Sequence, residues 1–298
     1  MSESPADWIK RGRGAMPRLR WSFSTEAPLV SLQLARESGD ILAADAVGSL
    51  YLIDRQGKLA TVTRGRAELR LLAWSDTGDR GVAVVGDSRL YWLNRQLNFQ
   101  GFVDLRESAA AIAIEPYGQY AVVSQSAGDT LIYDRNRKLV RHLETPQPWV
   151  RVICQSARPE LIWVSSYGLL GCHDFRGPLQ WQEKLWANVG DLAVTGNGDR
   201  ILLACFSHGI QCHDHTGTQI GSYQIGGTVS KVATSYLPKR IAAATVENEL
   251  LWIGLEGQIL WQATVPEPVA GVLVDPQGRG LVCGLESGRI YGLEWPQR

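Results

Sequence analysis

One period governs this chain. The segments ILAADAVGSLYLID (41–54), GVAVVGDSRLYWLN (81–94), AVVSQSAGDTLIYD (121–134), LIWVSSYGLLGCHD (161–174), ILLACFSHGIQCHD (201–214), IAAATVENELLWIG (241–254) and LVCGLESGRIYGLE (281–294) recur every 40 residues, with no insertion or deletion. Their last residues are Asp54, Asn94, Asp134, Asp174, Asp214, Gly254 and Glu294. Self-similarity at a fixed period of this size marks a repeat architecture, in which each unit is one supersecondary element that needs its neighbours to bury a core. Whatever one unit forms, seven must form and stack.

Each unit reads as strands. The first run is apolar, as in LLAW (71–74), AIAI (111–114) and DLAV (191–194), and a Gly-containing turn follows, as in DTGD (76–79) and GNGD (196–199). A second turn holds Gly48, Gly128, Gly168 or Gly288 in four units, and a third is Asp-x-x-Gly at 54–57, 174–177 and 214–217. Gly supplies positive φ in such turns, and Asp accepts hydrogen bonds from its own backbone there. The fourth run carries Trp21, Trp181 and Trp261 at one register position. No segment sustains helical periodicity. Four strands in about 40 residues, repeated, predict a β-propeller blade. The expected fold is all-β: a seven-bladed β-propeller of four-stranded antiparallel blades. The register position Gln33, Ala73, Ala113, Ile153, Ala193, Ala233, Leu273 is mostly small, as the crowded axis requires. Its neighbours Leu32, Leu72, Ile112, Val152, Leu192, Val232 and Val272 are all apolar and are expected between blades.

The ring must close. The seventh unit has three strands and then ends at Arg298. Trp21 precedes Trp261 by 240 residues, six periods, so RLRWSFS (18–24) is expected as the outer strand of the blade whose inner strands lie in 269–294. Residues 17–298 then form one propeller domain, and residues 1–16 fall outside the grid as a basic leader, expected to be a mobile tail.

These features resemble the WD40-like and quinoprotein-like (PQQ-repeat) propellers over about 17–296. The period fits WD40 repeats, although the Trp-Asp dipeptide and the Gly-His start are absent from every unit. DFRGPLQW (174–181) is similar to the Trp-docking motif of PQQ-type repeats, and LEGQILW (255–261) is a partial copy. In that family the Trp packs blade against blade, and the resemblance carries no cofactor across to this chain. Fold-level likeness does not assign function, since propellers host enzymes, sensors and scaffolds.

Composition narrows the classes. Thirty basic residues balance thirty acidic ones, which gives no support for nucleic acid as a partner. No apolar run approaches the roughly 18 residues that span a bilayer, and the first residues lack the apolar core of a secretory signal. Five cysteines, Cys154, Cys172, Cys205, Cys212 and Cys283, form no paired spacing and suit a reducing compartment, so the expected location is cytoplasmic.

Three constellations could carry chemistry. GCHD (171–174) and CFSHGIQCHDH (205–215) gather Cys172, Cys212, His213 and His215, but Cys172 and Cys212 hold one register position in adjacent blades. Sheets face each other about 10 Å apart, too far for one zinc, so buried thiols beside edge histidines are expected instead of a metal. Second, Arg151, Asp191 and Lys231 share one register position on successive innermost strands. They are expected at a mouth of the central channel, as a ligand site or as an ion-pair chain. Third, the leader brings Trp8, Lys10, Arg11 and Arg13, and the loop tips bring Tyr167, Phe206 and His208, as surfaces for a partner. No Ser-His-Asp arrangement, Walker loop or dinucleotide fingerprint is present. The reading is a non-enzymatic interaction scaffold, a monomer or a subunit of a hetero-complex, with no cofactor. The rival is a ligand binder or a hydrolase or lactonase-like enzyme at the channel mouth.

Overall fold

A computed structural model describes residues 6–65 and 68–296. Seven antiparallel sheets surround one axis. The first blade runs outward through Leu29–Leu34, Ile41–Asp45, Leu50–Ile53 and Leu59–Thr63. The other innermost strands are Leu69–Trp74, Ala109–Ile114, Trp149–Cys154, Val189–Val194, Val229–Thr234 and Val269–Val274. Each packs on the next, and the seventh packs on the first.

The N-terminal strand closes the ring as the grid requires. Arg18–Ser24 pairs antiparallel with Arg289–Glu294, with Trp21 opposite Gly292 and Arg18 opposite Glu294. Seven apolar clusters fill the seven seams, each built from two adjacent blades. The innermost strand of every blade carries a register irregularity at one place, between Leu29 and Ser31 in the first blade and between Val189 and Asp191 in the fifth. A bulge re-aims the side chain beside it, so residue 31 of each period is turned by a feature the whole ring shares.

The leader differs from the expected mobile tail. Asp7–Lys10 forms one helical turn, and Arg13–Gly14 pairs with Gln262 and Trp261 as a fifth strand on the outer edge of the sixth blade. Trp8 and Ile9 are buried in the seam between the sixth and seventh blades, against Trp261 and Tyr291. The period explains why. Trp21 lies against Gly57, and Trp181 against Gly217, each glycine in the Asp-x-x-Gly turn of the following blade; a Cβ there would meet the indole at 2.3 Å and 2.5 Å respectively. The position of the seventh blade that matches these glycines, 297, lies outside the described residues. Gly12 of the leader lies against Trp261, where a Cβ would sit 2.3 Å from the indole nitrogen. The leader thus covers Trp261, whose uncovered indole would expose a large apolar area to water.

Candidate interaction face and channel

Strand direction sorts the loops. Leu29 pairs with Asp45 and Leu50 with Thr63, so the loops after the second and fourth strands share one face of the ring. The turns after the first and third strands share the other. The bulged residue 31 position lies at the first face, and residue 36 of each period lies at the second.

At the first face, Arg151 donates from Nε to Asp191 Oδ1 at 3.3 Å, and also to the carbonyls of Val150 and Gly190, both at 2.8 Å. Asp191 Oδ2 accepts from the backbone N–H of Val232 at 3.1 Å. Both side chains line a central cavity of about 390 Å³ whose wall is mostly Ala, Leu, Ile and Val. Lys231, on the next blade, is half-buried and has no ion-pair partner among the described residues. The predicted Arg-Asp-Lys chain is therefore one pair and one separate cation.

The other mouth holds a network that the sequence reading passed over. Arg36 donates to both carboxylate oxygens of Asp76 at 2.8 Å, and to Ser156 Oγ at 2.8 Å; Ser156 in turn donates to Asp76 Oδ2 at 3.1 Å. The guanidinium also lies 5.7 Å from the ring centre of Tyr236. These residues come from the first, second, fourth and sixth blades, so the network crosses the axis. All four sit at one register position, with Pro116, Gly196 and Pro276 completing it. That shared register is the signal of the network in the sequence.

The loop tips divide sharply around the first face. Tyr167 is 71% exposed and Trp186 is 83% exposed. Phe206 is exposed at its tip, its ring edge 2.8 Å from where a Cβ on Gly190 would stand, and His208 is exposed beside it. Lys184 Nζ lies 4.8 Å from the centre of the Trp186 ring, a cation–π distance. Elsewhere on this face ion pairs join Arg64 with Glu26 at 2.8 Å, Arg70 with Asp87, and Arg89 with Asp104 at 3.2 Å. Trp186 was not predicted, although it was legible: the same position of the period holds Glu26, Arg66, Arg106, Pro146, Gly226 and Pro266 in the other units.

The remaining candidates fall elsewhere. Trp8 is only 7% exposed, so it is a core residue, not an exposed anchor. Lys10 pairs with Asp7 at 3.1 Å, and Arg11 and Arg13 lie on the outside of the leader. Among the described residues no group of three or more His, Cys, Asp or Glu is placed to hold a metal ion. Cys172 lies in the seam between the fourth and fifth blades, and Cys212 in the next seam, with a whole sheet between them. Burial pushes the Cys172 thiol up to about 12 and the Cys205 thiol to about 11. His213 has Nδ1 2.9 Å from the Gly217 carbonyl, and His173 accepts from the Trp163 indole at 2.8 Å. All five cysteines are free and buried.

No family model matches the chain, and no curated protein matches it. Among solved structures it is similar to the β-propeller domain of Cps50 (Swd1) from Myceliophteria thermophila, with a TM-score of 0.81 and 15% identity, covering 94% of this chain and 100% of that one. Matches extend to 1782 solved chains, so the likeness selects an architecture and leaves function open. No described helix is long and apolar enough to cross a membrane.

Proposed function

We propose that this chain is a non-enzymatic propeller platform that holds a protein partner on the loop face of its fourth and fifth blades. One observation carries the reading: Trp186, Tyr167 and Phe206 stand exposed on the loops of these two blades, with Lys184 against the Trp186 ring. Exposed aromatic and Arg side chains within a polar rim are the usual anchors of protein interfaces. The polar groups at the channel mouth also favour a scaffold, since Arg151 and Asp191 already satisfy each other. The five buried free thiols fit a reducing compartment, and we place the protein in the cytoplasm. The Trp-over-Gly seams support kinship with PQQ-type repeats, without their cofactor. A second reading, a small anion at the channel mouth, rests on Lys231, which is half-buried there and has no acidic partner among the described residues.

The test compares proteins retained from the native cell by immobilised wild type and by a Trp186→Ala/Tyr167→Ala variant. The platform reading expects a specific partner that the double variant loses and a Lys231→Ala variant keeps. Identical retention by wild type and the double variant would sink it.

A further inference from the structure

On the opposite face, away from the exposed aromatics, a groove of about 610 Å³ opens between the third and fourth blades. Three arginines are among the residues that line it: Arg141 from an outer strand, and Arg158 and Arg176 from turns of the fourth blade. Arg176 has no side-chain partner among the described residues, and Arg141 donates only to the carbonyl of its neighbour Val140. Arg158 has a partial partner in Asp199, 3.7 Å away. The sole acid lining the groove among the described residues, Glu115, is turned to its own chain, where one carboxylate oxygen accepts from the N–H groups of Tyr117 and Gln119. The groove therefore carries an uncompensated positive charge of between one and two units.

Two further features point to what would fill it. Tyr120 and Phe175 lie together on its wall, ring centres 5.1 Å apart, and present flat apolar surface. Gln155 also lines the groove, and its amide nitrogen is buried with no hydrogen-bond partner among the described residues. The volume lies in the range of about 300–1,000 Å³ that holds organic ligands, well above what a bare inorganic anion occupies. Guanidinium groups match phosphate oxygens bidentately, and a phosphate monoester carries about −1.5 to −2 charges at neutral pH, the amount left uncompensated here.

We infer that this groove binds a small phosphate monoester carried on a flat ring, with Arg141, Arg158 and Arg176 holding the phosphate and Tyr120 and Phe175 against the ring. The inference does not depend on the platform reading, and it concerns the other face.

Calorimetric titration of the full chain tests it with three probes: AMP, adenosine and pyrophosphate. AMP is expected to bind, and adenosine and pyrophosphate each to bind at least tenfold more weakly, since each has only half of the recognised chemistry. An Arg141→Gln/Arg176→Gln variant should lose at least tenfold in AMP affinity. Arg176→Gln alone, which breaks no contact, should lose part of it with an unchanged thermal midpoint. The Trp186→Ala/Tyr167→Ala variant should bind AMP as wild type does. Absence of AMP binding up to millimolar concentration, or equal affinity in the arginine variants, would overturn the inference. So would pyrophosphate or adenosine binding as tightly as AMP. A phosphotyrosyl peptide that binds more tightly than AMP would overturn it in favour of a protein ligand.

Discussion

Trp8, Trp252, Trp261 and Trp295 meet at the seam between the sixth and seventh blades, whereas Trp186 stands in solvent between the fourth and fifth. At the seam, Trp252 stacks on Trp295 at 4.6 Å, Trp295 meets Trp261 edge-on at 5.7 Å, and Trp8 closes on Trp261 at 6.2 Å. The indole nitrogens of Trp8 and Trp261 are buried without an acceptor among the described residues, so packing holds this cluster more than hydrogen bonding does. Trp186 is 83% exposed, with Lys184 against its ring. The same side chain thus serves as ring closure in one region and as bare surface in the other. What decides is the neighbour: a glycine and a leader segment at the seam, and a loop with nothing over it at the face.

The largest expected effect lies at the seam. Trp8→Ala should destabilise the protein by about 3 kcal/mol, the low end for removing a buried aromatic side chain. Urea unfolding measures it, and a change below about 0.5 kcal/mol would return the leader to a solvated tail. Gly12→Val comes next. Its Cβ would stand 2.3 Å from the Trp261 indole nitrogen, so the leader must shift or lift. Overpacking of this kind costs about 1–3 kcal/mol, and the same unfolding curve reads it.

The sequence made the seam legible only in part. The 40-residue grid placed the closing strand in the seventh blade, because repetition dictates which strand is missing there; the structure adds its register, with Trp21 opposite Gly292. It placed Arg151 and Asp191 at one mouth for the same reason. It could not place residues 6–14, which have no equivalent in any other unit and therefore no register to inherit. Their role shows only in three dimensions, where Gly12 and Trp8 meet Trp261. The Arg36 network was hidden differently: its members share a register position, but Pro and Gly at three of seven places disguise it as a turn.

Blade four adds a third use of tryptophan, beneath the exposed face. Trp149 stacks on Trp163 at 4.9 Å, and Trp163 donates to His173. Burial holds the His173 imidazole below its ordinary pKa, so it stays neutral and accepts that bond. In the unfolded chain a histidine titrates near 6.5. Below that pH the unfolded state takes up a proton that the folded state refuses, so stability falls as the pH drops, until the folded pKa is reached. Thermal midpoints between pH 7.5 and 5 should decline in wild type, and the decline should be shallower in His173→Gln. Parallel declines would show that this histidine is not the titrating group.

The smallest expected effect on stability sharpens the comparison most. Trp186→Ala removes a side chain that is 83% exposed, so its unfolding free energy should stay within about 0.5 kcal/mol of wild type. The same substitution should reduce quenching of tryptophan fluorescence by acrylamide, because an exposed indole is reached first, while Trp8 and Trp261 are shielded. A loss of stability as large as that of Trp8→Ala would place Trp186 in a packed core and remove it from any docking surface. A loop face that costs nothing to strip, yet fails to hold a partner once stripped, is what separates a surface kept for binding from one kept for folding.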